Sequence, residues 1–283
     1  MNILITANSG YLPAAKAMLY SLREHTKGPI DVYLLYDTMQ EEECLELKRY
    51  LKDKCSISLV TYQADVEFLK QLKYQNHFSP VIFYRLIAQE FLPDTVERIL
   101  YLDVDLMIYG SIETFYNSDF GDNWILACEN QGDNLKHKKR LNLKESSCYI
   151  NAGVILFNLK AVKENIKKQD VFQCIKRNVE IIELYDQDIL NILYEGKIGL
   201  CSKEIYNYQV STLPGTKVKE EQILSLPRII HFAGSLKPWM RGYMGGFRKE
   251  YIHLLWRCGE WKKALWIGAY NRVRFLYWIL RRK

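Results

Sequence analysis

The sequence predicts an α/β protein: a doubly wound parallel sheet with helices on its faces, carried by 283 residues. Two observations predict it. Short apolar runs alternate with stretches of helical periodicity in units of roughly 25 residues, the signature of strands joined by crossover helices. The composition, 48% hydrophobic and 25% charged, is that of a chain able to bury a large core.

The elements follow in order. Ile3-Leu4-Ile5-Thr6 is a short buried strand that breaks at the turn cluster Ala7-Asn8-Ser9-Gly10. A helix follows from Leu12 to Arg23, then a strand over Val32–Tyr36, an acidic-start helix over Glu41–Leu51 and a strand over Ile57–Val60. Ser79-Pro80 reads as an N-cap with Pro at the first helical position, opening a helix through Phe83-Tyr84-Arg85-Leu86. Apolar strands recur at Ile99–Leu102, Trp124–Cys128 and Gly153–Phe157, and a late one at Arg228–His231. The stretch from Gln131 to Glu145 reads as a polar loop, and helices are expected over Leu159–Arg177 and Asp186–Leu193. Doubly wound sheets bind ligands beyond the carboxyl ends of their strands, so Ala7 to Tyr11 is a candidate nucleotide contact. No GxGxxG is present, which argues against the dinucleotide fingerprint.

Composition narrows the class. The seven cysteines are odd in number and scattered, with no CxxC pair, which predicts reduced thiols in a cytosolic compartment. The first residues, MNILITANSG, lack the features of a signal peptide. No run reaches the ~18 apolar residues of a membrane span. The net charge of +6 is concentrated at the end, where residues 257–283 hold eight Lys/Arg against one Glu.

The feature richest in chemistry is ERILYLDVDLMIYG, residues 97–110, an apolar run holding Asp103 and Asp105. A buried carboxylate is costly unless compensated. If extended geometry persists through Asp103, both side chains fall on one side of the strand and Val104 on the other. Two hard oxygen donors then suit Mg²⁺ or Mn²⁺. Two strand-end aspartates capping local turns fit the same pattern, and a DxD alone is not specific. In IIHFAGSLKPW, residues 229–239, His231 ends an apolar run and is a third-ligand candidate, better suited to Mn²⁺ than to Mg²⁺. Lys237 can meet a phosphate as a point charge, and the backbone around Gly234 can approach one. A strand-end histidine and a surface lysine fit equally when each is taken singly. In YDQDILN, Asp186 and Asp188 open a helix, where acidic residues are ordinary macrodipole chemistry. In CYINAGVILFN, Asn151 precedes Gly153 and a buried strand, and also reads as a turn residue.

Taken together, TANSGY, FYRL, RILYLDVDLMI, NWILAC, YINAGVILFNL, DQDILN and HFAGSLKPW resemble the retaining glycosyltransferases of family 8, over residues 1 to about 245. The likeness is greatest to bacterial lipo-oligosaccharide and lipopolysaccharide α-galactosyltransferases, with glycogenin more distant. The resemblance implies a GT-A type, Rossmann-like nucleotide-binding mixed sheet flanked by helices. It implies Mn²⁺, with Mg²⁺ as the alternative ion, and a UDP-sugar donor, UDP-glucose or UDP-galactose. Carried over motif by motif, Asp103, Asp105 and His231 are the metal ligands. Ala7, Asn8 and Tyr11 hold the uridine, and Gly234 and Lys237 the diphosphate. Val104 meets the donor with backbone and bulk. Arg85, Asn151, Asp186 and Gln187 surround the donor sugar. The chain departs from the family where Asn8 replaces an acidic residue, where Gly10 replaces Asn, and where Asn130 replaces an Asp two residues past the NW…AC motif.

The implied activity is transfer of a hexose, with retention, to a saccharide or glycolipid acceptor. Same-face attack is expected, with Gln187 stabilising the developing cation, because an amide oxygen is a weak nucleophile. Asp186 is the better nucleophile chemically if it reaches the anomeric carbon. Two other classes compete. One is an inactive or purely nucleotide-sugar-binding relative. The other is an aspartate-nucleophile phosphatase, disfavoured because Met107 stands where a Thr or Val is wanted. Residues 1–246 are expected to form the catalytic domain, and 247–283 a basic, Trp-rich segment holding four of the six tryptophans. Trp, Tyr, Lys and Arg together suit an anionic membrane surface. The expectation is a cytoplasmic protein peripheral to the inner face of the plasma membrane, with no nucleic-acid partner. A helical cap packed on the body, or a dimer interface, fits the same composition.

Overall fold

The computed structural model describes residues 1–64, 80–210, 227–243 and 245–268. Its strands are β1 (Asn2–Thr6), β2 (Ile30–Tyr36), β3 (Ile57–Gln63), β4 (Arg98–Leu102), β5 (Leu106–Ile108), β6 (Ile125–Glu129), β7 (Ile150–Asn158), β8 (Ile198–Cys201), β9 (Tyr208–Gln209) and β10 (Ile229–His231). Among the described residues a seven-stranded sheet has the order β3-β2-β1-β4-β7-β6-β8, and a second sheet the order β5-β10-β9.

The large sheet is parallel from β3 to β4, but β7 runs antiparallel to both β4 and β6. The all-parallel sheet predicted from strand–helix alternation is therefore corrected to a mixed one. Alternation holds only over the first half: after β4 the chain detours through β5 before β6, so β7 enters between β4 and β6 from the opposite end. The mixed sheet is the GT-A architecture that the resemblance implied.

Both faces of the large sheet are buried, because side chains alternate along each strand. Leu4, Ile99, Tyr101, Ile155 and Phe157 face the 80–90 segment and the helices Lys168–Asn178 and Tyr185–Leu193. Ile3, Ile5, Leu100, Leu102, Val154 and Leu156 face the helices Leu12–Glu24 and Glu41–Cys55. Those two helices carry apolar stripes at helical spacing, Ala15-Met18-Leu19-Leu22 and Cys44-Leu47-Leu51-Cys55. Gln40 and Glu43 form a capping box, and Ser56, at φ 50°, stops the second helix.

Four local expectations change. Pro80–Glu90 is a 3-10 helix rather than an α-helix, and the N-cap expected at Ser79 lies outside the described residues. The polar loop 131–145 contains the helix Asn134–Arg140, capped by Asp133, which accepts from Lys136 N at 3.1 Å. The single helix expected over Leu159–Arg177 is two, because Ile166 is extended and Asp170 accepts from Lys167 N at 2.9 Å to open a new helix. The edge strand β8 was not expected; its sequence, IGLC, is too short to show a period.

A third core joins the small sheet to the chain end. Met107, Ile230 and Phe232 pack with Tyr251, Leu254, Leu255, Ala264 and Ile267, from the helix Arg248–Arg257 and a helix over 261–268. Tyr50 Oη donates to Cys258 O at 2.7 Å, and Arg257 pairs with Glu24 at 2.8 Å. Residues 247–268 are thus a cap packed on the body. The remainder of the basic segment, 269–283, lies outside the described residues.

Candidate active site

The site is built where the chain leaves one sheet for the other. β4 ends at Leu102, Asp103 to Asp105 turn, and Leu106 starts β5 in the small sheet. The strand does not persist through Asp103, so the alternation argument for two carboxylates on one side does not apply. They converge because the backbone turns. Pairing then brings the third member in: β10 lies antiparallel to β5 with His231 opposite Leu106. Phe232 N donates to Asp105 O at 3.1 Å, which locks that register beside the turn. One ligand atom from each of Asp103, Asp105 and His231 lies within 4.8 Å of the others.

Arg85 anchors the other side. It is buried on the 3-10 segment, its guanidinium 4.2 Å from the Tyr101 ring centre. It meets Asp103 Oδ1 at 2.9 Å and Asp186 Oδ2 at 3.2 Å, and donates to Ala152 O at 2.8 Å. Burial pushes the Asp186 carboxyl up to about 6, against the lowering by Arg85. Burial would also raise Asp105, but His231 and Lys237 outweigh it and hold that carboxyl below the usual range. Lys237 pairs with Asp105 Oδ2 and donates to Phe232 O at 2.9 Å. Gly234, at φ 87°, turns the loop between His231 and Lys237.

Gln187 is tied down. Its Oε1 accepts from Asn151 Nδ2 at 3.0 Å and Ala152 N at 3.3 Å, and its Nε2 donates to Tyr149 Oη at 3.2 Å. At the carboxyl end of β1, Ala7 and Asn8 lead to Tyr11, whose ring meets Trp239 edge-on at 6.0 Å.

The turn, the 3-10 segment, the DQD helix and the loop after β10 open on one cavity of about 810 Å³. It is lined by each residue the resemblance assigned to donor or metal: Ala7, Asn8 and Tyr11; Arg85, Asn151, Asp186 and Gln187; Asp103, Val104 and Asp105; His231, Gly234 and Lys237. Gly10, Asn130 and Asp188 do not line it. Sequence reasoning missed Glu183 and Leu184, which line it just before the DQD helix, Tyr185, which opens that helix, and Asn207, which meets His231 Nδ1 at 2.8 Å. Tyr185 and Asn207 belong to no pattern of spacing that sequence inspection tests.

The residues fit a divalent cation. Asp105 Oδ1 is buried without a hydrogen bond, although His231 Nε2 stands 3.4 Å away. A Cβ on Gly153 would lie 2.4 Å from His231 Cε1 and 2.9 Å from Asp103 Oδ2, so only glycine leaves room for the imidazole and carboxylate to meet. Two carboxylate oxygens and one imidazole nitrogen suit Mn²⁺ better than Mg²⁺.

Comparison with known proteins agrees with this geometry. The sequence matches glycosyl transferase family 8 over residues 2–242. The chain belongs to that family. Among curated family members, it is 25% identical over 281 residues to glycosyltransferase GlyE of Streptococcus pneumoniae, covering 92% of this chain and 63% of GlyE. It is 29% identical over 201 residues to the lipopolysaccharide 1,3-galactosyltransferase of Salmonella typhimurium, covering 67% of this chain and 58% of that one. It is 24% identical over 277 residues to a lipopolysaccharide 1,2-glucosyltransferase of Escherichia coli, covering 93% and 81%. The chain thus spans about three fifths of the length of the first two. The galactosyltransferase LgtC, solved with donor and acceptor sugar analogues, superposes with a TM-score of 0.78 at 21% identity, over 92% of this chain and 96% of LgtC. The GlyE structure gives 0.68 at 20% identity, over 92% and 63%. Both carry the same GT-A fold.

Proposed function

We propose that this family 8 chain is a retaining, Mn²⁺-dependent hexosyltransferase. It moves glucose or galactose from a UDP-sugar to a saccharide or glycolipid acceptor. The observation that carries the reading is the convergence of Asp103, Asp105 and His231 in a cavity that also holds a buried lysine. Lipopolysaccharide is the favoured acceptor class, because two of the relatives bear that substrate in their names.

In this reading Asp103, Asp105 and His231 hold the ion. When bound, the ion stabilises the charge of a leaving diphosphate without moving a proton. Lys237 leaves Asp105 for a phosphate oxygen and adds a fixed positive charge where charge develops. Ala7, Asn8 and Tyr11 take the uridine at the end of β1, Gly234 lets the backbone approach the diphosphate, and Val104 packs beneath it.

The sugar passes through an oxocarbenium-like transition state. Arg85, Asn151, Asp186 and Gln187 surround it. Gln187 is held by Asn151, Ala152 and Tyr149, and its amide oxygen, already accepting two hydrogen bonds, is a weak nucleophile for backside attack. The charge of Asp186 is shared with Arg85, which blunts it as a nucleophile. Same-face attack follows, with the departing phosphate taking the acceptor proton. A glycosyl adduct trapped on Asp186 contradicts this step. A screen of UDP-glucose, UDP-galactose and UDP-N-acetyl sugars tests the whole reading. One of the two hexoses should be hydrolysed with Mn²⁺ and not with chelator; chelator-insensitive turnover refutes it.

The cap supports contact with an anionic membrane. Trp256, Trp261, Leu265 and Trp266 are about half exposed, beside Arg257 and Lys262. No helix among the described residues is long and apolar enough to cross a membrane. Replacing the three tryptophans with Ser should reduce co-sedimentation with anionic vesicles; unchanged binding refutes the contact.

A further inference from the structure

A chain of three side-chain amides runs from backbone to imidazole, and its polarity is fixed at one end. Gly153 N donates to Asn151 Oδ1 at 3.0 Å, and Ala152 N donates to Gln187 Oε1 at 3.3 Å. Backbone N–H groups can only donate. Asn151 must therefore point Oδ1 toward Gly153, and its Nδ2 toward Gln187 Oε1 at 3.0 Å. Asn207 meets the same Asn151 Oδ1 at 2.8 Å, so the group it presents there is Nδ2. Its remaining atom, Oδ1, faces His231 Nδ1 at 2.8 Å. An amide oxygen only accepts, so Nδ1 carries a proton. The opposite nitrogen, Nε2, then has its lone pair free once the ring is neutral. Nε2 lies 3.4 Å from Asp105 Oδ1 and 3.9 Å from Asp103 Oδ2. Asn207 itself is 1% exposed, so water does not compete for its amide.

We propose that Asn207 is a positioning residue of the cation site: it holds the proton on His231 Nδ1 and so presents Nε2 to the ion alongside Asp103 and Asp105. Asn207 belongs to neither sheet; it follows the short helix Lys203–Tyr206 and precedes β9, the partner of β10. The pairing of β9 with β10 is what carries it to His231. This rests on the reading of Asp103, Asp105 and His231 as ligands, and its test separates the two.

The test uses full-length protein labelled with ¹⁵N-histidine, with the His231→Ala spectrum assigning the signal. Without metal, at a pH where imidazole is neutral, His231 should show a protonated Nδ1 and a bare Nε2. A wild-type His231 with its proton on Nε2 overturns the proposal without any variant. Asn207→Leu should lose the preference and weaken Mn²⁺ binding about 10- to 100-fold, read by electron paramagnetic resonance of free Mn²⁺. Asn207→Asp keeps an acceptor for Nδ1 but loses the N–H given to Asn151 Oδ1, so it should keep the Nδ1-protonated tautomer and bind Mn²⁺ more tightly than Asn207→Leu does. A folded Asn207→Leu with wild-type tautomer and affinity overturns the role of Asn207. A His231→Ala protein that binds Mn²⁺ as wild type does overturns the ligand reading instead.

Discussion

Two aspartate pairs, DVD at 103–105 and DQD at 186–188, are bridged by Arg85, and their carboxylates have contrasting surroundings. Asp188 is saturated. Its Oδ1 accepts from Arg140 Nη2 at 3.0 Å and Tyr149 Oη at 2.6 Å. Its Oδ2 accepts from Arg140 Nη1, Glu183 N and Leu184 N, each at 2.8 Å. Burial would raise its carboxyl, but these donors outweigh it and hold it below the usual range. Asp105 has Lys237 on one oxygen and no hydrogen bond on the other. Asp103 and Asp186 share Arg85. A carboxylate with every lone pair satisfied is an anchor, here for the backbone at 183–184 that lines the cavity. Carboxylates gathered with too few donors mark a place arranged for a cation. Asp186, two residues from the anchor, is neither kind: it pairs with Arg85 and stands outside the cluster of Asp103, Asp105 and His231.

Exchanging one carboxylate in each region is the sharpest way to break this contrast. Asp103→Asn should cut sugar transfer on the order of 10³-fold, as loss of a preorganised charge does, while its melting temperature falls less than that of Asp188→Asn, because Arg85 keeps Asp186 as a partner. Asp188→Asn should do the reverse in kind: it should destabilise folding on the order of 3 kcal/mol by leaving Arg140 short of its partner, measured by denaturant unfolding. An Asp188→Asn protein as stable as wild type, or an Asp103→Asn protein that turns over normally, removes the distinction.

A smaller effect should appear in the pH dependence of stability. The Asp186 carboxyl is raised from the ordinary 3.8 to about 6. The folded state therefore keeps its proton to higher pH than the unfolded chain does. The stability this gives is present below 3.8 and lost as pH rises through about 6. Melting curves across that range should fall for wild type relative to Asp186→Asn, and parallel curves contradict it.

Much of this was legible in the sequence because strand ends advertise themselves. Ile3–Thr6 and Ile99–Leu102 are apolar runs that stop at polar residues, and the residues just past them line the cavity. What stayed hidden depends on partners far along the chain. Asp103 and Asp105 converge through a turn between sheets, which an alternation rule does not see. Asn207 acts on residues 24 and 56 positions away. The helix Asn134–Arg140 buries none of its residues, so it left no apolar period. The C-terminal cap divides its aromatics between two duties. Tyr251 is buried against Phe232 and Trp239, while Trp256, Trp261 and Trp266 face outward, and composition alone does not separate these roles.

The central claim is that Asp103, Asp105 and His231 form one cation site. Thermal melts of wild type and Asp105→Ala under Mn²⁺ titration test it most directly, since a ligand bound by the native state alone raises the melting temperature by mass action. Wild type should rise with Mn²⁺ until the site saturates, and Asp105→Ala should not. No shift in wild type, or an equal shift in both, contradicts the account.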